Sequence, residues 1–237
     1  MKKTLITAIV ISSLTPSVWA TLYDQNITAI FGSGNPNTGW TTTDPGDPQL
    51  GLRAKNRDNA STANVNGVYS YAPGFAVSNP ARALWNWEFS INSGSSGNLS
   101  VAFDYYVGID TDSSAGISYS VVNALTFWND NAYGNNSTLN GQGTVGTSAA
   151  LAPLNNVAQQ SQNLVFAGGN PNLDATYNYI LYAVDKNAGE FGSRLAEVGI
   201  TVVVGNGGAS VPDAGSTITL LGLALTGLGF AARRARA

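Results

Sequence analysis

The sequence predicts an all-β protein: a single antiparallel β-sandwich, jelly-roll-like, of about ten strands. Three observations predict it. Short apolar–polar alternations of period two recur along most of the chain. Clusters of Gly, Asn, Pro and Ser interrupt them every ~8–15 residues, the spacing of a sandwich. No long amphipathic stretch is available to cross over between parallel strands, so the sheets are expected to be antiparallel.

Residues 1–20, MKKTLITAIVISSLTPSVWA, come first. Lys2 and Lys3 precede a mostly apolar run, and Val18 and Ala20 occupy the small-residue positions before a cleavage point. This is the pattern of a secretory signal peptide, cut by signal peptidase between Ala20 and Thr21. The folded domain is then expected over residues 21–204. Residues 22–31 read as a first strand and 32–48 as a loop, with Pro36, Pro45 and Pro48 as breakers. Residues 50–55 and 68–72 read as short strands. Residues 84–91 and 99–107 give the clearest pair. Trp85, Trp87, Phe89 and Ile91 share one face of the first, and Leu99, Val101, Phe103, Tyr105 and Val107 share one face of the second. Residues 117–122 and 124–128 follow as strands. The Gly/Asn/Ser/Thr-rich stretch 133–148 reads as an exposed loop, and the Gln/Asn-rich stretch 153–163 as the place for one short helix. Residues 164–167, 176–184 and 195–204 complete the strands, with Ala196, Val198, Ile200, Val202 and Val204 on one face of the last. Residues 205–210, GNGGAS, have the composition of a flexible linker.

Composition excludes more than it selects. Histidine and cysteine are absent and Met1 is the only methionine. There is no disulfide framework, no thiol nucleophile, no imidazole base and no ordinary zinc site. Residues 21–210 hold six basic and thirteen acidic residues, a net charge of −7, which argues against a nucleic-acid partner. The body has only three glutamates, Glu88, Glu190 and Glu197, and they form no evident glycosidase pair. The expectation is therefore a non-enzymatic protein without a resident cofactor.

Candidate contacts remain. Asp110 and Asp112 lie two apart in a loop after a strong strand, and Asp130 sits in a second oxygen-rich strand end. Such carboxylates could chelate calcium if the loops converge; the alternative is an ordinary turn whose Asp side chains accept backbone N–H groups. Trp40, among threonines in a polar loop, is the candidate for an exposed ring that stacks on a sugar. Trp85 and Trp87 are expected in the core. Arg53, Lys55 and Arg57 alternate, giving either a face for an anionic polysaccharide or, as preferred here, the charged guard of an edge strand.

The tail, residues 211–237, reads VPDAGSTITLLGLALTGLGFAARRARA. It has three parts: a short polar motif over residues 211–217, an uncharged apolar run over 218–232, and Arg233, Arg234 and Arg236 behind it. The apolar run spans about 22 Å as a helix, somewhat short of the ~30 Å hydrocarbon core, so a transmembrane helix needs help from its flanks. The arginines would remain cytoplasmic. This arrangement resembles the PEP-CTERM class of sorting signals, in the variant whose motif reads Val-Pro-Asp-Ser-Gly. Val211, Pro212, Asp213 and Gly215 match, and Ala214 replaces the serine.

The resemblance implies an exosortase-type membrane enzyme as partner, in a Gram-negative bacterium that makes extracellular polysaccharide. It implies export through the inner membrane, transient anchoring by the apolar helix, then processing and release to the cell surface or matrix. The expected role is structural or interactive, linked to exopolysaccharide or biofilm. The alternative is a carbohydrate-binding module, calcium-assisted or not.

Overall fold

The computed structural model describes residues 20–31, 36–43 and 46–209. The expected signal peptide, the sorting motif and the transmembrane helix lie outside the described residues. Among those described, no helix is long and apolar enough to cross a membrane.

Thirteen strands are seen among the described residues: β1 Thr21–Gln25, β2 Trp40–Thr43, β3 Gln49–Asn56, β4 Asn64–Val65, β5 Val68–Tyr71, β6 Trp85–Asn92, β7 Phe103–Asp110, β8 Tyr119–Asn123, β9 Asn131–Gly134, β10 Thr144–Gly146, β11 Val157–Asn163, β12 Ala175–Asp185 and β13 Arg194–Val204. One sheet has the order β1-β2-β3-β6-β11-β9-β10, and the other β4-β5-β13-β12-β7-β8. Every pairing is antiparallel except β5 with β13, which run parallel. These two strands are far apart in sequence, so no tight turn constrains their relative direction.

The two sheets face each other across the main core. Trp85, Trp87, Phe89 and Ile91 of β6 point inward, as expected, and so do Ala196, Val198, Ile200, Val202 and Val204 of β13. Trp87 stacks on Tyr179 of β12 with ring centroids 4.8 Å apart. Trp85 meets Tyr177 and Tyr179 at 6.0 and 6.4 Å. Aromatic contacts at these separations add to simple area burial.

The seven-stranded sheet is covered on its outer face as well. All eight residues of β6 are buried, Asn86, Glu88, Ser90 and Asn92 included. The chain after β1 does not continue as a strand through residue 31. Instead it crosses this outer face, burying Ile27, Ala29 and Phe31. Gln159 of β11 holds it there: its Oε1 accepts from the Phe31 N–H at 2.9 Å, and its Nε2 donates to the Ala29 carbonyl at 2.6 Å.

Several strand expectations are corrected. Residues 153–163 hold no helix beyond a one-turn 3₁₀ segment at Ala152–Leu154, preceded by the single-turn helix α1 (Ser148–Leu151). The Gln/Asn-rich run is strand β11, paired residue for residue with β6. Residues 164–167 are a 3₁₀ turn, because Asn163 Oδ1 accepts the Val165 N–H and Gly168 ends it in the left-handed region. Residues 124–128 are likewise a turn, where Asn123 Oδ1 accepts from the Leu125 and Thr126 N–H groups. The strand expected from Leu99 begins only at Phe103, since an Asn98–Ser100 turn precedes it and leaves Val101 exposed. Two strands lie inside stretches expected as loops, β2 in residues 32–48 and β10 in 133–148, and the second half of β9 falls in the latter as well.

Candidate functional site

Trp40, Arg53 and Glu88 are placed together, and not as the sequence suggested. Arg53 is on an interior strand, between β2 and β6, so it guards no edge. It is fully buried, and its Nη2 meets Glu88 Oε2 at 2.6 Å. Lys55 Nζ reaches the other Glu88 oxygen at 2.8 Å, and Ser161 Oγ donates to it at 3.1 Å. Burial alone would raise the Glu88 carboxyl. The charges of Arg53 and Lys55 and their hydrogen bonds outweigh it and hold the group below the usual carboxylate range.

Trp40 is not an exposed platform. It is 2% exposed and lies under the Arg53 guanidinium, 4.3 Å from carbon to ring centroid. Arg53 Nη1 also donates to the carbonyls of Pro36 and Thr38, at 2.6 and 3.0 Å. A cleft of about 170 Å³ opens beside this group, lined also by Asp130, Gln159 and Gln160. Its polar groups are largely engaged with each other. Gln160 Nε2 donates to Asp130 Oδ1 at 2.8 Å and its Oε1 accepts from Ser161 N–H. The arrangement fastens the crossing segment to the sheet, and the buried Trp40 Nε1–H is left without a hydrogen-bond partner.

The three aspartates nominated for calcium are not brought together. Asp110, at the end of β7, is 4% exposed. Its Oδ1 accepts the N–H groups of Asp112 and Ser118, at 3.1 and 3.0 Å. Its Oδ2 accepts the backbone and side-chain N–H groups of Asn178, both at 3.1 Å. Asp112 accepts from Ser114 N–H at 2.9 Å and Ser114 Oγ at 2.8 Å, and these bonds lower its pKa. Asp130 lies beside β9 in the other sheet. No cluster of three or more His, Cys, Asp or Glu is found among the described residues. Asp110 and Asp112 thus build a turn, and this turn is where the end of the domain is received. Ala115 N–H donates to the Ala209 carbonyl at 3.0 Å.

A second concavity, of about 210 Å³, was not anticipated. It is formed where β6, β7, β8 and β11 meet the turns after β8 and β11. Phe127 and Phe166 stand on its rim, 59% and 54% exposed. Trp128 packs edge-on against Phe127 and Trp87, at 5.0 and 6.0 Å between centroids. Thr111, Ser120, Gln162 and Asn163 supply the polar lining, and the Arg82 guanidinium lies over the Phe166 ring, 4.7 Å from carbon to centroid. Gln162 is the inward partner of Trp87 across β11 and β6. The sequence offered a faint signal for this groove: three aromatics, Phe127, Trp128 and Phe166, each within two residues of an Asn or Gly breaker.

At the other boundary of the domain, Ala20 is exposed and Thr21 opens β1, paired with Thr43. Beyond Ala209 the family model for the VPDSG-CTERM motif matches residues 210–235. The chain carries a VPDSG-CTERM sorting motif. The match covers Val211, Pro212, Asp213, Ala214 and Gly215 together with the apolar run and most of the arginine cluster. The motif implies processing by an exosortase-type enzyme and export to the bacterial cell envelope or surface. No curated protein matches the chain.

Proposed function

We propose that this protein is a non-catalytic component of the cell surface or extracellular matrix of a Gram-negative bacterium. In this reading it crosses the inner membrane and is held briefly by its C-terminal helix. An exosortase-type enzyme processes it, and its β-sandwich then contacts neutral exopolysaccharide. The sorting motif at residues 210–235 carries the envelope part of this reading.

The glycan contact is supported by the aromatic groove. Exposed rings at Phe127 and Phe166 beside neutral amide and hydroxyl groups suit the apolar face and the hydroxyls of a sugar. The body's charge of −7 favours a neutral chain over an anionic one. Binding is proposed to need no calcium, because both oxygens of Asp110 are already engaged with protein N–H groups.

A glycan array probed with residues 21–209, with and without calcium, tests the proposal. Calcium-independent retention on neutral polysaccharides is expected. Retention on none of them would reduce the sandwich to a structural unit, and calcium-dependent binding would place the contact elsewhere.

A further inference from the structure

The stretch after β13 has a linker's composition, yet each of residues 205–209 is hydrogen-bonded to the domain. Gly205 N–H donates to the Tyr71 carbonyl at 2.9 Å, Gly207 N–H to Val204 at 3.0 Å, and Gly208 N–H to Thr176 Oγ1 at 3.0 Å. Ala209 is bonded through its carbonyl to Ala115, and Asn206 Nδ2 donates to Asp174 at 2.8 Å. The surface that receives this strap is itself built. Asp112 holds the Ser113–Ala115 turn, and the Ser113 carbonyl accepts from Thr176 N–H at 3.2 Å. Gly208 lies so close to that turn that a Cβ there would overlap the carbonyls of Ser113 and Ser114. The glycine is required by this approach and not by chain flexibility alone.

Val211 follows Ala209 by two residues, at most ~7 Å of chain. A docked strap therefore keeps the first residue of the sorting motif within that distance of the folded body. An enzyme working at the membrane has to enclose several extended residues around the bond it cuts. We infer that the turn at Ser113–Ala115, with Thr176, is a dock for the stalk of the sorting signal. Release of residues 205–209 from this dock limits how fast the sorting enzyme takes the motif. The inference rests on the sorting reading above and adds a control built into the domain.

Two substitutions in the full-length protein loosen the dock without touching the core or the motif. Gly208→Ala introduces the overlapping Cβ, and Thr176→Val removes the hydroxyl acceptor while keeping the side chain's shape. Pulse-labelling in the native host, followed by intact-mass measurement, reads the rate at which full-length chain becomes processed. Both variants are expected to be processed about five-fold faster or more, the gain in open population from losing part of the dock. Amide exchange on purified residues 21–215 supplies an independent reading. The Ala115 and Gly208 amides should exchange faster in the variants, while the Val198 amide keeps its protection. Unchanged or slower processing of both variants, with wild-type chain still processed, would overturn the dock and leave the sorting reading standing. Wild-type chain that is never processed would overturn both.

Discussion

Arg53 and Glu88 face each other directly across β3 and β6, and their side chains close a 2.6 Å ion pair with both groups buried. The pair lies on the outer face of the seven-stranded sheet, the face a sandwich ordinarily turns to water. It is buried here because the segment after β1 crosses over it and Arg53 holds residues 36 and 38 in place. The sheet thus has an apolar core on one side and a charged, hydrogen-bonded layer on the other.

Glu88→Gln keeps the shape of this layer and removes the carboxylate that Arg53 and Lys55 share. Loss of the carboxylate facing the fully buried Arg53 guanidinium is expected to cost about 3–5 kcal/mol, measured by urea unfolding at neutral pH. The pH dependence has a defined sign. The folded state holds the Glu88 pKa below its ordinary value, so its contribution is present above about pH 4.3 and is lost as pH falls toward the depressed value. Wild-type stability should drop below that point more steeply than that of Glu88→Gln. Parallel acid limbs would show that the pair adds nothing.

Asp110→Asn tests the turn at the end of β7. The carboxylate accepts four N–H groups. An amide can turn only one oxygen toward them, so at least one pair of donors loses its acceptor. The loss should be about 1–3 kcal/mol for each donor left unpaired in a buried setting. Calcium added to wild type, or a chelator, should leave the thermal midpoint where it is. A midpoint that rises with calcium concentration would reveal a bound ion by mass action.

Phe127→Ser with Phe166→Ser removes the exposed rings of the groove. Both side chains are more than half exposed, so the unfolding free energy should change by less than about 1 kcal/mol in total. Affinity for a neutral polysaccharide that binds wild type should fall about ten-fold or more. Equal affinity in affinity electrophoresis would move the contact away from this groove.

Much of the inner core was legible in the sequence, because period-two alternation in residues 84–91 and 195–204 reports directly which side chains turn inward. The outer layer was not. Gln159, Asn163 and Glu88 look like surface residues until partners up to 130 positions away are known. The same blindness hid β11, whose polar residues resemble a loop or helix but are satisfied by the segments they touch. It also made Arg53 and Lys55 look like edge guards. Local turn chemistry misled in the opposite sense: Asn98, Asn123 and Asn163 each stand just before a run expected as a strand and turn its first residues by accepting a backbone N–H nearby. Of the nominated contacts, Trp40 was lost to the buried layer. The groove escaped notice because its rings come from two turns that were read as strands.

Gln159 offers the sharpest test of that long-range layer. One amide side chain accepts from Phe31 N–H and donates to both the Ala29 carbonyl and Ser90 Oγ, the last at 3.1 Å. Gln159→Leu has nearly the same volume, so packing on β11 should survive. What it removes is the partner of one buried donor and one buried acceptor in the crossing segment, at about 1–3 kcal/mol each. The loss should be local as well as global. Hydrogen exchange at Phe31 should accelerate well beyond the change at Phe89 or Val198, because the crossing segment can lift while the two sheets stay closed. If Phe31 instead exchanges in step with the core amides, the segment is held by its buried apolar side chains and not by Gln159.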